Sequence, residues 1–262
     1  MTSVRLRLLI LALTPLIVLM PLLLILGMSR WTADYDKVLI ANVESELKIA
    51  NQYLSRLLAQ TGDELDAVAG SVEFSQWLGR PGTELATFFD STRKQLDLDF
   101  LTFLPIEAAI EAGEDWPVIA RASRGNSSVE IDVFSNARLA TLNDALPVRT
   151  QVPLVDTPAA VPTDRKIEDR GMVVHAASPV DLNGTRGVLV GGMLLNRNLD
   201  FIDTINDLVY LNAATGGDRQ GTATLFLDDL RISTNVRLFE DIRALGTRVS
   251  AEVRKAVLID GR

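Results

Sequence analysis

From Leu8 to Met28 the chain carries no charged side chain, while Arg5, Arg7 and Arg30 bracket the stretch. At a helical rise of about 1.5 Å per residue this length reaches about 31 Å, enough for a hydrocarbon core of about 30 Å. A cleavable signal peptide has an apolar stretch of about 7–15 residues followed by small residues. Here Gly27-Met28-Ser29-Arg30-Trp31 follows instead. Pro15 and Pro21 fit a membrane span, where neighbouring groups can satisfy the freed carbonyls. The expectation is an uncleaved anchor. The positive-inside rule assigns residues 1–7 to the cytoplasm as a short tail, 8–29 to the lipid bilayer and the rest to the outside. Trp31 and Tyr35 stand where an outer aromatic belt would lie.

Beyond the anchor, Val43, Leu47, Ala50, Leu54, Leu57, Leu65, Val68 and Val72 recur mostly at three- and four-residue steps. This spacing predicts an amphipathic stalk helix over residues 30–70. Two readings stand for its apolar stripe: packing on its own domain, or pairing with a second copy in a parallel homodimer. Gly79-Arg80-Pro81-Gly82 marks a turn, and Thr83 to Leu96 reads as a second helix. The period then shifts: Asp99–Leu104 and Pro117–Ala122 read as strands, and Leu139–Leu146 as a short helix. Pro147, Pro153, Pro158 and Pro162 argue against regular pairing, so residues 147–168 read as a long surface excursion.

Gly171 to Leu195 is the clearest local signal. Two apolar runs flank Asn183-Gly184, which supplies the two positive φ angles of a type I′ turn, so an antiparallel hairpin is predicted. A helix from Leu199 to Leu211 follows, and a boundary at residues 212–217. Thr222–Leu227 and Arg231–Thr234 then read as strands joined at Asp228-Asp229, and Ser250 as the N-cap of a helix from Ala251 to Leu258.

The chemistry is sparse. The chain has one histidine, no cysteine and a net charge of −8. Disulfides and thiolate metal sites are excluded, and there is no basic footprint for nucleic acid. No Gly-x-Ser-x-Gly elbow, phosphate-binding loop or dinucleotide fingerprint occurs, so no cofactor and no catalytic residue is expected. Asp97 with Asp99 and Asp228 with Asp229 fit no calcium loop and read as solvated carboxylates.

The helix segment Ile49-Ala50-Asn51-Gln52-Tyr53-Leu54 is one of several stretches that carry a family likeness. The others are Glu168–Ala177 with Pro179, Leu194–Leu199, Phe226–Val236 and Gly246–Ser250. Together with the order of elements they resemble the double Cache sensory domains of bacterial membrane-bound sensor histidine kinases and chemoreceptors. The resemblance implies an α+β fold with tandem PAS-like antiparallel sheet lobes: a membrane-distal lobe over residues 71–212 and the start of a second, incomplete lobe over 217–262. It implies an N-terminal fragment of an inner-membrane protein whose bulk is periplasmic. This portion would bind a small-molecule ligand and signal to a response regulator through cytoplasmic domains beyond it. A kinase output is favoured over a chemoreceptor, and a periplasmic protein-binding scaffold is the alternative from another class. Arg121, Arg170 and His175 are the candidate ligand contacts, because they lie on or beside strands where a few polar groups would converge.

Overall fold

The computed structural model describes the backbone of residues 4–80, 82–210, 221–239 and 242–261; most side chains before residue 37 lie outside the description. The chain divides into two units, Met1–Asn51 and Gln52–Arg262. Helix α1 runs from Val4 to Ala69. The expected membrane span falls within it, but most of its side chains are outside the described residues. Among those described, no helix is long and apolar enough to cross a membrane. The boundary expected at 212–217 also lies outside the described residues.

The second unit is mixed α and β, with antiparallel sheets. Its main sheet has the order β1-β6-β5-β2, built from β1 (Phe100–Pro105), β2 (Ser128–Phe134), β5 (Gly171–Leu182) and β6 (Thr185–Leu194). The predicted hairpin forms its centre. Asn183 and Gly184 have φ of 52° and 79°, and the register runs from Leu182↔Thr185 to Val173↔Leu194. Both central strands are buried on both faces, which is why they read as continuous apolar runs rather than alternating ones.

One face carries Phe100, Phe134, Val173, Ala177, Val188 and Val190. It is covered by α4 (Ile106–Asp115), α5 (Pro117–Ser123), α6 (Asn136–Leu142) and α7 (Leu146–Thr150). The other face carries Leu101, Ala176, Val180 and Leu189. It packs on Leu65 and Ala69 of α1, Phe74 of α2 (Val72–Trp77) and Phe88 of α3 (Gly82–Gln95). Helix α8 (Leu199–Val209) buries Phe201 and Ile202 with Val174, against Tyr53, Leu54, Leu57 and Leu58 of α1. The stalk stripe is therefore divided. Its later part packs on its own domain, whereas Val43 and Leu47 are exposed.

Several expectations are corrected. Residues 117–122 form helix α5, not a strand: Pro117 takes the first helical turn, where its missing N–H costs nothing, and the buried set Val118, Ile119 and Ala122 has helical spacing. The residues expected to form one helix from Leu139 to Leu146 divide between α6 and α7, because Asn143 leaves the helical conformation between them. The excursion is pinned at its base, where β3 (Val152–Pro153) pairs with β4 (Ile167–Glu168). Pro153 is tolerated because this is a two-stranded edge.

A second hairpin, β7 (Thr224–Leu227) with β8 (Leu230–Thr234), turns at Asp228-Asp229 as expected. A small pair, β9 (Arg237–Phe239) and β10 (Ile242–Arg243), follows. Ser250 caps α9 (Ala251–Arg254), its Oγ accepting from the Val253 amide at 3.2 Å. The chain then continues as a π-helical turn over Lys255–Ile259.

Gly192 is the tightest point of the sheet. A Cβ there would lie 1.9 Å from the Val174 carbonyl oxygen and 2.9 Å from the Phe100 ring. Gly192→Ala is expected to cost about 3 kcal/mol or more, since backbone has to move. Gly82→Ala, with no atom within 4 Å of its added methyl, is expected to change stability by less than about 1 kcal/mol. Urea unfolding followed by circular dichroism checks the contrast, and equal effects would contradict the packing.

Candidate functional site

His175 is fully buried on the helix-covered face of β5. Phe134 and Trp116 meet its ring edge-on at centroid distances of 5.0 and 5.9 Å, and Phe100 lies at 6.4 Å. Its Nδ1 is 2.6 Å from Asp132 Oδ2. The other ring nitrogen, Nε2, is buried without a hydrogen-bond partner. An unsatisfied buried polar atom typically costs about 1–3 kcal/mol, so this one marks the layer between sheet and helices as the place where an added polar group would gain most.

Arg121, in the last turn of α5, donates from Nε to Ser128 Oγ at 2.7 Å. Its Nη2 contacts Glu130 as an ion pair without the alignment of a hydrogen bond. Glu130 is the register partner of His175 across β2 and β5, so Arg121 and His175 flank one strand pair. Arg170 lies in a different cluster. Its Nε and Nη2 hold the two oxygens of buried Glu168 at 2.9 and 2.8 Å, and Nη2 reaches Asp228 of the second hairpin at 2.7 Å. Arg121 and His175 thus border one layer, and Arg170 ties that lobe to β7–β8.

The residues missed from sequence are the partners. Asp132 was missed although Ser128-Val129-Glu130-Ile131-Asp132-Val133 alternates polar and apolar residues at the period of a strand. Glu168 accepts from Arg165 as well as Arg170. The reading of the acidic pairs as solvated is overturned at two of the four positions. Asp99 accepts from the Leu194 amide at 2.6 Å and contacts Arg149. Asp229 is buried and held by Arg248 at 2.7 Å and Arg254 at 3.5 Å. Both sit where a turn meets a neighbouring element, so the carboxylate is satisfied by that neighbour rather than by water.

Next to this network, residues 154–166 curl around a cleft of about 480 Å³ with Arg248 in its wall. The Arg248 amide donates to Thr157 Oγ1 at 3.2 Å, and the Arg248 Nη1 donates to the Val161 carbonyl. Among the described residues, no group of three or more His, Cys, Asp or Glu side chains could hold a metal ion.

Comparison with known proteins adds one sequence finding. Residues 193–262 match the family model for single Cache domain 3. This part of the chain is similar to Cache domains. It takes in the end of β6, α8, the β7–β8 hairpin and Arg248. The crystal structure of the periplasmic domain of Vibrio cholerae LuxQ is similar at 16% identity and a TM-score of 0.45, covering 78% of this chain and 82% of that chain. No curated protein matches.

Burial pushes the Glu168 carboxyl up, but hydrogen bonds from Arg170 and Arg165 outweigh it and bring the pKa down to about 2 from an ordinary 4.5. The bound carboxylate therefore adds stability that is complete above pH 4.5 and is lost as pH falls towards 2. The full contribution is up to about 3 kcal/mol. Glu168→Gln should lower stability at neutral pH and flatten its fall between pH 4.5 and 2, as read by urea titrations across that range. An unchanged acid slope would show that Glu168 is not the group responsible.

Proposed function

We propose that this chain is the extracytoplasmic sensing part of a membrane-anchored receptor, with residues 8–29 as its span and a small molecule as its signal. In this reading the ligand-binding lobe comprises residues 71–212, and a second lobe starts near 217. The observation that carries it is the two-sided role of β5. His175, with its unsatisfied Nε2, faces the helix-covered layer. Its neighbour Ala176 packs in the same cluster as Leu65 and Ala69 of α1. A strand moves as a unit, so a ligand that displaces His175 displaces the contact with α1.

Only a difference in ligand affinity between two arrangements of that contact is needed to bias them. The exposed apolar side chains Leu19, Met20 and Leu23 on α1 support the span, since apolar groups open to their surroundings suit a lipid environment. A histidine-kinase output, a homodimer and a response-regulator partner are proposed on the family resemblance alone.

The absence of cysteine makes orientation directly testable. Val72 is exposed, so a cysteine placed there by Val72→Cys should react with a membrane-impermeant maleimide in intact spheroplasts. Labelling only after lysis would refute an external domain.

Ligand binding has its own measurement. A thermal-shift screen of small metabolites should find a compound that raises the melting temperature. His175→Leu should abolish that shift and lower basal stability by about 1–3 kcal/mol, because it removes the orphaned nitrogen but leaves Asp132 without its partner. A ligand bound equally by His175→Leu would place the site elsewhere.

A further inference from the structure

A second buried polar atom without a partner lies next to His175. Arg138, in α6, is half-buried, and its Nε is buried with no hydrogen-bond partner. Among the described residues its guanidinium makes no ion pair and no hydrogen bond. It lies over the Phe134 ring instead, with 6.0 Å from Cζ to the centroid. Burial holds its pKa below the ordinary arginine value, and the charge of exposed Asp115 offsets this only in part. A guanidinium stays charged in a protein and carries five donors, so one left without partners is costly to bury.

The two unmet groups belong to one cluster. Phe134 lies 5.0 Å from the His175 ring and 6.0 Å from Arg138 Cζ. Imidazole and guanidinium are therefore no farther apart than those two distances laid end to end. Trp116 completes the group, edge-on to Phe134 at 4.5 Å and to His175 at 5.9 Å. His175 and Phe134 are fully buried, whereas Trp116 is partly exposed. It also occupies the extended joint between α4 and α5, with φ of −123° and ψ of 101°.

The two groups ask for opposite partners. A carboxylate only accepts, so in the His175–Asp132 contact the hydrogen sits on Nδ1, and in the neutral ring Nε2 is then an acceptor. Nε2 calls for a donor such as a hydroxyl. Arg138 calls for an anion. Between them the walls are aromatic, which is the usual make-up of a small-molecule site: apolar surface with a few placed polar groups.

We propose that the ligand of this layer is a hydroxyaryl carboxylate, one aromatic ring that presents a hydroxyl to His175 Nε2 and a carboxylate to Arg138. The assignment rests on the reading above that the His175 layer is the sensory site. The ring lies against Phe134, and Trp116 turns outward at the α4–α5 joint to admit it. A single ring carries both groups at the spacing that Phe134 sets, and a long linker between them would overshoot it. Asp115 is the carboxylate whose charge reaches Arg138, so it opposes the ligand's own.

Isothermal titration of the full chain with 3-hydroxybenzoate and 4-hydroxybenzoate, beside benzoate and the two hydroxybenzamides, tests this. At least one hydroxybenzoate should bind saturably. Benzoate, which lacks the donor, and the matching amide, which lacks the charge, should each bind about tenfold or more weakly. Arg138→Gln should remove the preference for acid over amide without lowering the urea midpoint, because no protein group loses a partner. Asp115→Asn should tighten the acid. In a Trp31→Phe, Trp77→Phe background, binding should change the fluorescence of Trp116. Failure of both hydroxybenzoates to bind, equal binding of acid and amide, or an unchanged preference in Arg138→Gln would each overturn the ligand class. If the thermal-shift screen still yields a compound whose effect is lost in His175→Leu, the layer remains the site and only the class is wrong. If no such compound emerges, the site itself is wrong.

Discussion

Strands β5 and β6 are the constraint on which the other elements of the second unit rest. Each is buried on both faces, so the sheet cannot be stable until helices cover it on two sides. The alternation of a strand divides the work. Val173, His175 and Ala177 point into the layer of α4–α7, and Val174, Ala176 and Val180 into the layers formed with α1, α2, α3 and α8. A one-residue slip in register would exchange the two sets. The Asn183-Gly184 turn, with both residues in the left-handed region, holds the register from one end. Gly192, against the Val174 carbonyl and the Phe100 ring, holds it near the other.

Outside the sheet, buried carboxylates replace apolar packing as the means of fixing position. Glu168, Asp229 and Asp99 each lie where two segments distant in sequence meet, and each is held by arginine or by a backbone amide. Compared with an apolar replacement of the same shape such pairs add little, because desolvation offsets most of the attraction. Losing one partner is costly, because it leaves a buried charge alone. The result is an attachment that is definite in geometry without a large apolar contact. This suits the excursion at 154–166 and the β7–β8 turn, which have few large side chains to bury.

How much of this was legible in the sequence depended on where the information lay. The β5–β6 hairpin, α3, α8 and the cap at Ser250 were readable because their signals are local: a turn pair, a helical period, a hydroxyl before a helix. Residues 117–122 were misread because six residues with adjacent apolar side chains satisfy a strand and a buried helix alike, and Pro117 decides the matter only once the helix is assumed. The β3–β4 pair was hidden by Pro153, which argues against central strands but not against a short edge. Asp99 and Asp229 were misjudged for a different reason: their partners Arg149 and Arg248 are remote in sequence, and nothing near either aspartate signals burial. His175 was singled out as a candidate ligand contact, but its partner Asp132 could be known only after β2 was placed beside β5.

The apolar stripe on α1 shows the same limit at a larger scale. One continuous period runs from Val43 to Val68, yet Leu54, Leu57 and Leu65 are packed in the domain while Val43 and Leu47 are exposed. Periodicity reports that a face of a helix is apolar; it carries no information about what covers that face. The packed part has its covering in Phe201, Ile202, Ala176 and Leu101, all supplied by the sheet and α8. Any change in the sheet therefore acts on α1 through its later turns, at Leu54 to Ala69. That is the part of the helix in which a shift of β5 would be felt first.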